Sequence, residues 1–414
     1  MNFFSYQGGA LFAEEVPLVS IAERFGTPCY VYSRAALEGA YREFEHACAG
    51  RDTLICYAVK ANSNLAILNL FARLGSGFDI VSGGELARVL AAGGVAGKIV
   101  FSGVGKSEVE MHAALQAGIL CFNVESEAEL ERLARVASAT GRLAPVSLRV
   151  NPDVDPRTHP YIATGLRESK FGIPFEEARR LYQRAAALPS LQVTGIGFHI
   201  GSQLTEVGPF VAAIDRALEF VDWLRAIGMP LRHIDLGGGL GIRYRDEQPP
   251  AVEDYLGSLF ERIGQRKVRV LMEPGRALVG NAGLLLTRIE YLKHGSARNF
   301  AVVDAAMNDL LRPALYDAWH DVLPVTPGER APTLYDVVGP VCESADFLAL
   351  NRPLAIAQGG LLAVMSAGAY GMSMSSNYNS RPRPAEVMVD ADAIHLIRDR
   401  ESAAGLFASE RLLP

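Results

Sequence analysis

The chain has 414 residues, more than one ordinary domain needs, and 49% of them are hydrophobic, which is enough for a large buried core. Its formal net charge is −6 and no long basic run occurs, so the composition argues against a nucleic-acid partner. No apolar run is long enough to span a bilayer, and Glu14 and Glu15 precede the first basic residue, Arg24, which is unlike a signal peptide. These features predict a cytoplasmic protein that binds neither membranes nor nucleic acid.

Cysteine and histidine usage predicts neither disulfides nor a metal site. The five cysteines are odd in number, scattered and without a CxxC pair: Cys29, Cys48, Cys56, Cys121 and Cys342. This pattern fits a reducing compartment and argues against a cysteine-ligated zinc. The eight histidines form no HxxxH or HxH pair, so we expect no metal ion.

A strand–helix rhythm runs from about residue 53 to residue 276. Eight short, apolar, β-rich runs begin near Leu54, Phe78, Ile99, Leu120, Val146, Val193, His233 and Val268. Amphipathic stretches between them lie at 64–74, 85–92, 127–137, 176–187, 210–226 and 252–263. This alternation predicts an α/β fold with parallel strands, and eight units in roughly 220 residues are typical of a TIM (β/α)8 barrel. An open doubly wound sheet, which usually has fewer strands, is the alternative.

The pattern changes after Arg276. Five short β-like runs, divided by turns rich in proline and glycine, lie at 284–289, 300–303, 335–338, 361–364 and 386–389. We predict a second, mainly β domain of the sandwich or barrel-like kind, formed by residues 1–29 plus 279–414, and a barrel domain of residues 30–278. The first 30 residues also hold a strand-like run at 29–32, and we expect them to pack with the C-terminal domain.

Polar residues end the candidate barrel strands, where barrel enzymes place their catalytic groups. Lys60 follows the apolar run 54–59 and precedes the Asn- and Ser-containing segment 61–64, which is typical of a helix N-cap. A desolvated lysine at such a position can attack an aldehyde, so Lys60 is a candidate Schiff-base partner for pyridoxal phosphate. Taken alone, Lys60 is better explained as a surface lysine. The other strand ends carry Asp79, Ser102, Asn123 with Glu125, Arg149 with Asn151, His199, Asp235 and Glu273.

Glycine-rich segments suggest a phosphate site. The run 237–241 (GGGLG) follows the seventh strand, and its backbone N–H groups could cradle a phosphate, although a tight turn also explains it. Ile242 stands where the dinucleotide fingerprint needs its last glycine. The segment 273–276 (EPGR) closes the eighth strand, and phosphate sites after strands seven and eight are common in TIM barrels. The run 105–107 (GKS) is not a P-loop, because Val100 replaces the required first glycine.

Three further features have both a functional and a structural interpretation. His199 is a candidate to stack on a planar ring, or a structural histidine. Cys342 next to Glu343 is a candidate proton donor beside an amine-binding acid, or a buried cysteine. Arg312 and Tyr316 lie one turn apart and suit a carboxylate, although a surface salt bridge is the simpler explanation for that stretch alone.

Taken together, these motifs resemble the diaminopimelate decarboxylases, a family of fold-type III pyridoxal-phosphate-dependent decarboxylases. The resemblance covers essentially the whole chain and rests on the runs 57–62 (YAVKAN), 199–202 (HIGS), 237–239 (GGG), 273–276 (EPGR), 342–344 (CES) and 369–371 (AYG). It implies a cofactor-binding barrel, a C-terminal β domain and a homodimer with active sites shared between its subunits. It also implies decarboxylation of meso-2,6-diaminopimelate to L-lysine and carbon dioxide, the final step of lysine biosynthesis. Two departures are Ala345, where the family often has glycine, and Gly83, where a bulkier residue is common.

The resemblance implies a role for each candidate residue. Lys60 would form the Schiff base with the cofactor, and the partner subunit's Cys342 would protonate the carbanion. His199 would stack on the cofactor ring, and Glu273 would pair with the pyridine nitrogen. The implied cofactor-binding set is Lys60, Asp79, His199, Ser202, Gly238, Gly239, Glu273, Gly275, Arg276 and Tyr370. The implied substrate-binding set is Arg276, Arg312 and Tyr316 for the distal carboxylate, Glu343 for the distal ammonium, and Tyr370.

Other readings of the same motifs are less consistent with the sequence. Ornithine and arginine decarboxylases share the fold, but their substrates lack a distal carboxylate for Arg312 and Tyr316, and they tend to have aspartate in place of Glu343. Alanine racemase favours arginine at the position of Glu273. A non-catalytic pyridoxal-phosphate carrier typically lacks the lysine, the cysteine loop or the β domain.

Overall fold

The computed structural model of the chain describes residues 3–154, 170–229, 231–329 and 331–414. These residues form two compact units. The barrel unit comprises residues 41–242 and 248–277, and the β unit comprises residues 1–40, 243–247 and 278–414. Among the described residues, no helix combines the length and the apolar character that a bilayer-spanning segment needs.

The chain begins in the β unit. Strands β1 (Phe4–Gln7), β2 (Ala10–Ala13) and β3 (Val16–Pro17) form a small antiparallel sheet. Helix α1 (Leu18–Phe25), strand β4 (Cys29–Ser33) and helix α2 (Arg34–Ala47) follow. Strand β4 is buried along its whole length, which explains its apolar sequence CYVYS.

The barrel unit contains a closed barrel of eight parallel strands, as the sequence predicts. These strands are β5 (Thr53–Ala58), β6 (Gly77–Ile80), β7 (Ile99–Phe101), β8 (Cys121–Val124), β9 (Ala144–Asn151), β11 (Leu191–Gly197), β12 (His233–Asp235) and β13 (Arg269–Met272), with a short β10 (Ile173–Pro174) paired to β9. Pairing of β8 with β9, and of β13 with β5, closes the ring. Buried residues on neighbouring strands pack together, namely Cys56, Val100, Cys121 and Leu271. Helices cover the outer face of parallel sheets, so strands buried on both faces read as apolar runs.

Helices connect successive barrel strands. They are α3 (Leu65–Arg73), α4 (Gly83–Ala91), α5 (Glu108–Ala117), α6 (Glu127–Thr140), α7 (Phe175–Ala187), α8 (Gly208–Ala226) and α9 (Val252–Ile263), with 3-10 turns at Val59–Ala61 and Ala96–Lys98. The side chain of Asn64 caps α3 by accepting from the backbone N–H of Ala66 at 2.9 Å, as expected for the segment that follows Lys60.

Helix α5 is not among the amphipathic stretches named above. The structure shows what the GKS run 105–107, which leads into this helix, does instead of binding a phosphate. Ser107 and Glu110 form a capping box at its N-terminus. The buried ammonium of Lys106 donates to the carbonyl oxygens of Gly103 and Asn123 and to Glu129, at 2.7, 2.8 and 2.7 Å. The GKS run is therefore a helix cap and a buried structural lysine.

The C-terminal part of the chain is mainly β, as the sequence predicts. After α10 (Arg276–Val279) come β14 (Gly283–His294), β15 (Asn299–Val303), α11 (Arg312–Tyr316), β16 (Val322–Pro324), β17 (Thr333–Val338), β18 (Phe347–Leu354), β19 (Leu361–Val364), β20 (Ala385–Asp390), β21 (Ala393–Arg398) and α12 (Ala403–Leu406), with 3-10 turns at Met372–Met374 and Tyr378–Ser380. The sheet order is β18-β17-β15-β14-β4-β20-β21, and β19 pairs with β14 and β16. The N-terminal strand β4 thus lies between β14 and β20.

Gly77 provides a test of barrel packing. A Cβ atom at Gly77 would lie 2.5 Å from the carbonyl oxygen of Lys98 and 2.9 Å from the sulfur of Cys56. We expect Gly77→Ala to lower the free energy of unfolding by about 1–3 kcal/mol, because the core has no room for the methyl group. Urea unfolding measures this change. The matched control is Gly97→Ala, whose Cβ would meet nothing within 4 Å, and an equal loss in both variants would contradict the packing argument.

Candidate active site

Lys60 lies just beyond β5, in the 3-10 turn Val59–Ala61. Its Nζ atom is 3.0 Å from Oδ2 of Asp79, which β6 places beside β5 by pairing Ala58 with Asp79. Asp79 is fully buried, whereas the side chain of Lys60 is 38% exposed. The amine is therefore held in place by a buried carboxylate and is still accessible to a ligand.

A polar network lies at the carboxyl ends of neighbouring strands. Nδ2 of Asn123 is 3.1 Å from Oγ of Ser102, 3.1 Å from Oδ2 of Asp235 and 3.4 Å from Oε1 of Glu273. All four residues are buried. Parallel strands bring their carboxyl ends to one rim, which is why residues far apart in sequence meet here.

Burial raises the pKa of both carboxyl groups in this network, those of Glu273 and Asp235. Burial raises the pKa of Glu273 well above its usual range, the charges of Asp235 and Asp79 raise it further, and Lys60 lowers it. Burial also raises the pKa of Asp235, whose side chain hydrogen bonds to Glu273. A hydrogen bond between two carboxyl groups requires a proton on one of them. A cation brought to this place would favour release of that proton.

His199 is a neutral imidazole of defined tautomer. Burial lowers its pKa well below the usual range, and the charges of Arg149 and Lys60 lower it further. Its Nδ1 atom accepts a hydrogen bond from the backbone N–H of Gly238 at 3.1 Å. Because Nδ1 accepts, the proton of the neutral ring lies on Nε2. The glycine loop thus fixes the orientation of the ring.

The run Gly237-Gly238-Gly239 is sterically constrained. Gly237 and Gly239 have φ angles of 66° and 112°, which favour glycine. A Cβ atom at Gly238 would overlap the carbonyl oxygen of Glu273, and one at Gly239 would overlap that of Gly201. The N–H of Gly237 donates to Oδ1 of Asp235 at 2.9 Å. Glycine is therefore required here for the conformation of the loop itself, in addition to any advantage it gives for close approach of a ligand.

The segment after β13 is equally close-packed. A Cβ atom at Gly275 would lie 3.1 Å from that of Ala58 and 3.2 Å from that of Ala61. The guanidinium of Arg276 is buried and donates from Nη2 to Oγ of Ser202 at 3.1 Å. This contact joins the segment 273–276, a predicted part of the phosphate site, to the loop that carries Ser202.

These residues of the barrel unit fit pyridoxal phosphate. Lys60 offers an accessible amine for the aldehyde. Oδ1 of Asp79 is buried without a hydrogen-bond partner among the described residues, and it lies near the carboxyl groups of Glu273 and Asp235, an acidic cluster that suits a protonated ring. The glycine loop and the N–H groups near Gly275 suit a phosphate.

The β unit holds the other predicted site residues. Arg312 begins α11 and is buried, and Tyr316, one turn later, is half-buried. Cys342 and Glu343 lie on an exposed loop, whereas the other four cysteines are buried. Tyr370 is half-buried and has a left-handed backbone, with φ of 55°.

Two residues that the sequence analysis did not single out contact the cysteine loop. Oδ1 of Asn379 accepts from the backbone N–H of Cys342 at 2.8 Å. The hydroxyl of Tyr378 lies 3.4 Å from Oε2 of Glu343. Asn379 itself has φ of 56°, a conformation that asparagine tolerates better than most residues. No local sequence signal indicates these contacts, because they join segments 35 to 37 residues apart.

The chain matches known proteins along its whole length. The family model of the pyridoxal-dependent decarboxylases, pyridoxal binding domain, matches residues 34–280. A diaminopimelate decarboxylase of Pseudomonas aeruginosa is 61% identical over 414 residues, which is 100% of both chains. A diaminopimelate decarboxylase of Vibrio cholerae is 57% identical over 416 residues, again covering 100% of both.

Solved structures of diaminopimelate decarboxylases also have a fold that closely resembles that of this chain. A diaminopimelate decarboxylase of Helicobacter pylori in complex with L-lysine superposes with a TM-score of 0.92 and 42% identity, covering 95% of this chain and 99% of that chain. A diaminopimelate decarboxylase of M. jannaschii in complex with L-lysine gives a TM-score of 0.95 and 36% identity, covering 100% and 98%.

The buried carboxyl of Glu273 predicts a pH-dependent effect on stability. Its pKa is raised in the folded protein, so the unfolded chain releases this proton first once the pH exceeds the ordinary value of 4.5, and folding loses stability as the pH rises further. Glu273→Gln removes this titration. We therefore expect the cofactor-free variant to gain stability relative to the parent between about pH 5 and about pH 8.

Thermal unfolding of the cofactor-free proteins across that pH range measures the difference. Glu219→Gln, at an exposed position on α8, is the matched control and should follow the parent at every pH. A Glu273→Gln curve parallel to that of the parent would contradict the raised pKa.

Proposed function

The chain belongs to the pyridoxal-dependent decarboxylase family, and within it to the diaminopimelate decarboxylases, and we propose from this premise that it converts meso-2,6-diaminopimelate to L-lysine and carbon dioxide. Its cofactor is pyridoxal phosphate, and the reaction is the final step of lysine biosynthesis. One structural observation carries the proposal: the amine of Lys60 lies 3.0 Å from the buried carboxylate of Asp79 and beside an acidic cluster.

Pyridoxal phosphate, when bound, supplies an aldehyde for amines and a protonated ring that accepts the electron pair left by carbon dioxide. Lys60 would hold the aldehyde covalently through its accessible amine, which the amine of the substrate would replace. Glu273 would pair with the ring nitrogen and keep it protonated, which the neighbouring Asp79 and Asp235 would support electrostatically. His199 would stack on the ring as a neutral imidazole. Its lowered pKa supports this role, since a neutral ring adds no positive charge against the protonated cofactor.

The phosphate is bound by Ser202 and by the backbone of Gly238–Gly239 and of Gly275–Arg276, with Tyr370 nearby. The absence of Cβ atoms in the glycine loop supports this assignment, because a ligand can approach the backbone closely. The hydrogen bond from Arg276 to Ser202 supports it further, because it orders two of the contributing loops.

The substrate is held at its far end. Arg276, Arg312 and Tyr316 bind the distal carboxylate, Glu343 binds the distal ammonium, and Tyr370 contacts the substrate. Arginine suits a carboxylate because its guanidinium can donate two parallel hydrogen bonds. The contact between Tyr378 and Glu343 would orient the acid that receives the ammonium.

Cys342 returns a proton to the carbon that lost carbon dioxide. Its exposed position supports this role, because the other four cysteines are buried and inaccessible to substrate. We also propose that the protein is a homodimer in which each subunit's Cys342 serves the other subunit. The absence of disulfides among its five free cysteines supports a cytoplasmic location.

The domain assignment from sequence also stays a proposal. It makes residues 30–278 the cofactor-binding domain and residues 1–29 plus 279–414 the β domain that contributes the Cys342 loop. The compact units differ from it slightly, since residues 30–40, 243–247 and 278 lie in the β unit.

Substrate preference tests the proposed function directly. We expect the purified holoenzyme to release carbon dioxide and L-lysine from meso-diaminopimelate and to turn over ornithine poorly, because ornithine has no distal carboxylate. Lys60→Ala should abolish both turnover and covalent attachment of the cofactor, whereas Lys98→Ala, at a half-buried barrel lysine whose Nζ donates to the carbonyl oxygen of Gly75, should change neither. Mass spectrometry after borohydride reduction locates the attached cofactor, and a preference for ornithine would refute the substrate assignment.

Cys342→Ala tests the proton donor. Loss of a general acid typically slows a reaction by about 10²–10⁴-fold, so we expect a fall in kcat of that order with the cofactor still bound. Ser344→Ala, two residues away on the same exposed loop, is the control. Steady-state kinetics and the absorbance of the bound cofactor measure both effects, and an unchanged kcat in Cys342→Ala would remove its role.

A further inference from the structure

Arg312 lies in a cage of side chains within the β unit. Only 7% of the residue is exposed. Its Nη1 atom is 2.8 Å from Nε2 of His320, and its guanidinium carbon lies 4.5 Å from the centre of the Tyr244 ring. The rings of Tyr244 and His320 meet edge to face, with centroids 5.4 Å apart. The guanidinium therefore contacts two aromatic rings that also contact each other.

The hydrogen bonds of His320 determine its tautomer. Its Nδ1 atom is 2.8 Å from the carbonyl oxygen of Met365, which can only accept, so Nδ1 carries a proton. The guanidinium of Arg312 can only donate, so Nε2 must be the acceptor. His320 is therefore a neutral imidazole that bridges a carbonyl group and an arginine. Because it is uncharged, it orients Arg312 without neutralising it.

The backbone of His320 is also held in place. His320 is fully buried, and its carbonyl oxygen accepts from Nη2 of Arg352 at 2.9 Å. The guanidinium of Arg352 stacks on the neighbouring Trp319, and Arg245 lies over the same indole, 4.2 Å from its centre. Burial lowers the pKa of Arg352 to about 10. The buried Arg352 thus contacts both the ring of Trp319 and the backbone of His320, and these contacts make His320 a rigid support.

We propose that His320 is a positioning residue that fixes Arg312 in the orientation needed for the distal carboxylate, and that it thereby helps to select diamino acids that carry this group. The proposal rests on the proposed role of Arg312 as a carboxylate-binding residue. His320 would act through Arg312 and not on the substrate itself. Tyr244 supports the same guanidinium from its ring face, where a cation is attracted to the π system.

The reaction supplies a pair of ligands that isolate this effect. Because the product is L-lysine, the carbon of L configuration keeps its carboxylate, and this is the distal carboxylate of meso-diaminopimelate. L-Lysine therefore retains the group that Arg312 would bind. Cadaverine, 1,5-diaminopentane, has the same chain and both amines but no carboxylate. The ratio of their dissociation constants reports recognition of the distal carboxylate without any turnover.

Two substitutions at His320 separate its two hydrogen bonds. In His320→Gln the amide oxygen can replace Nε2 as the acceptor for Arg312. In His320→Asn the shorter side chain reaches only the position of Nδ1, so it can donate to Met365 but offers Arg312 no acceptor. The two variants are both neutral and both polar, so they form a matched pair.

We expect His320→Asn in the holoenzyme to weaken L-lysine binding about tenfold, the effect of losing one hydrogen bond from a charged donor, and to leave cadaverine binding nearly unchanged. The KM for meso-diaminopimelate should rise with little change in kcat. His320→Gln should restore most of the L-lysine affinity. Titration calorimetry with each ligand and steady-state kinetics measure these changes.

Three outcomes would overturn the inference: equal weakening of both ligands in His320→Asn, which indicates a general structural fault; unchanged L-lysine affinity in His320→Asn; or no recovery in His320→Gln. Arg312→Ala distinguishes failure of the premise, because unchanged L-lysine affinity in that variant refutes the role of Arg312 itself.

A second pair covers the case in which a variant at the buried His320 does not fold. Tyr244→Leu should weaken L-lysine relative to cadaverine about threefold, while Tyr244→Phe, which keeps the ring, should retain the affinity of the parent. Equal affinities in the two Tyr244 variants would overturn the idea that the cage of rings orients Arg312.

Discussion

The buried carboxylate of Asp79 is the group on which the barrel site depends. It pairs with the amine of Lys60 and lies near Glu273 and Asp235, two further buried carboxyl groups whose pKa values burial raises. Concentrating negative charge inside a barrel is unfavourable unless cations or protons accompany it. The same concentration would favour a protonated ring at this place, so the unfavourable electrostatics and the proposed chemistry have the same cause.

The sequence predicts the barrel well because each βα unit is a local pattern. A buried parallel strand is an apolar run, and its carboxyl end carries the polar residues of the site, so Lys60, Asp79 and Glu273 can be found without any structure. Helix α5 does not show as an apolar stripe, because its sequence EVEMHAALQA carries small and apolar residues on several faces. Its clearest signal is the capping box of Ser107 and Glu110.

The contacts that support the site are much harder to read from the sequence. Asn379 binds the backbone of Cys342 across 37 residues, and its position follows from a turn with a left-handed residue. His320 is only eight residues from Arg312, yet its role depends on which ring nitrogen carries the proton, and that depends on the carbonyl group of Met365. Strand β18 is similarly hidden, because polar residues and a proline interrupt its apolar run. Local sequence patterns identify the candidate catalytic and binding residues, whereas the tertiary structure identifies the residues that orient them.

The glycine loop 237–239 limits how this enzyme could be altered. Even a methyl group at Gly238 or Gly239 would collide with a backbone carbonyl oxygen of an adjoining segment, so neither position has a single-residue replacement that leaves the surrounding chain where it is. Efforts to redesign the protein for an analogue of its vitamin-derived coenzyme would therefore have to start from side chains proposed to bind it, such as Ser202 and Tyr370, and leave this stretch of main chain as it is.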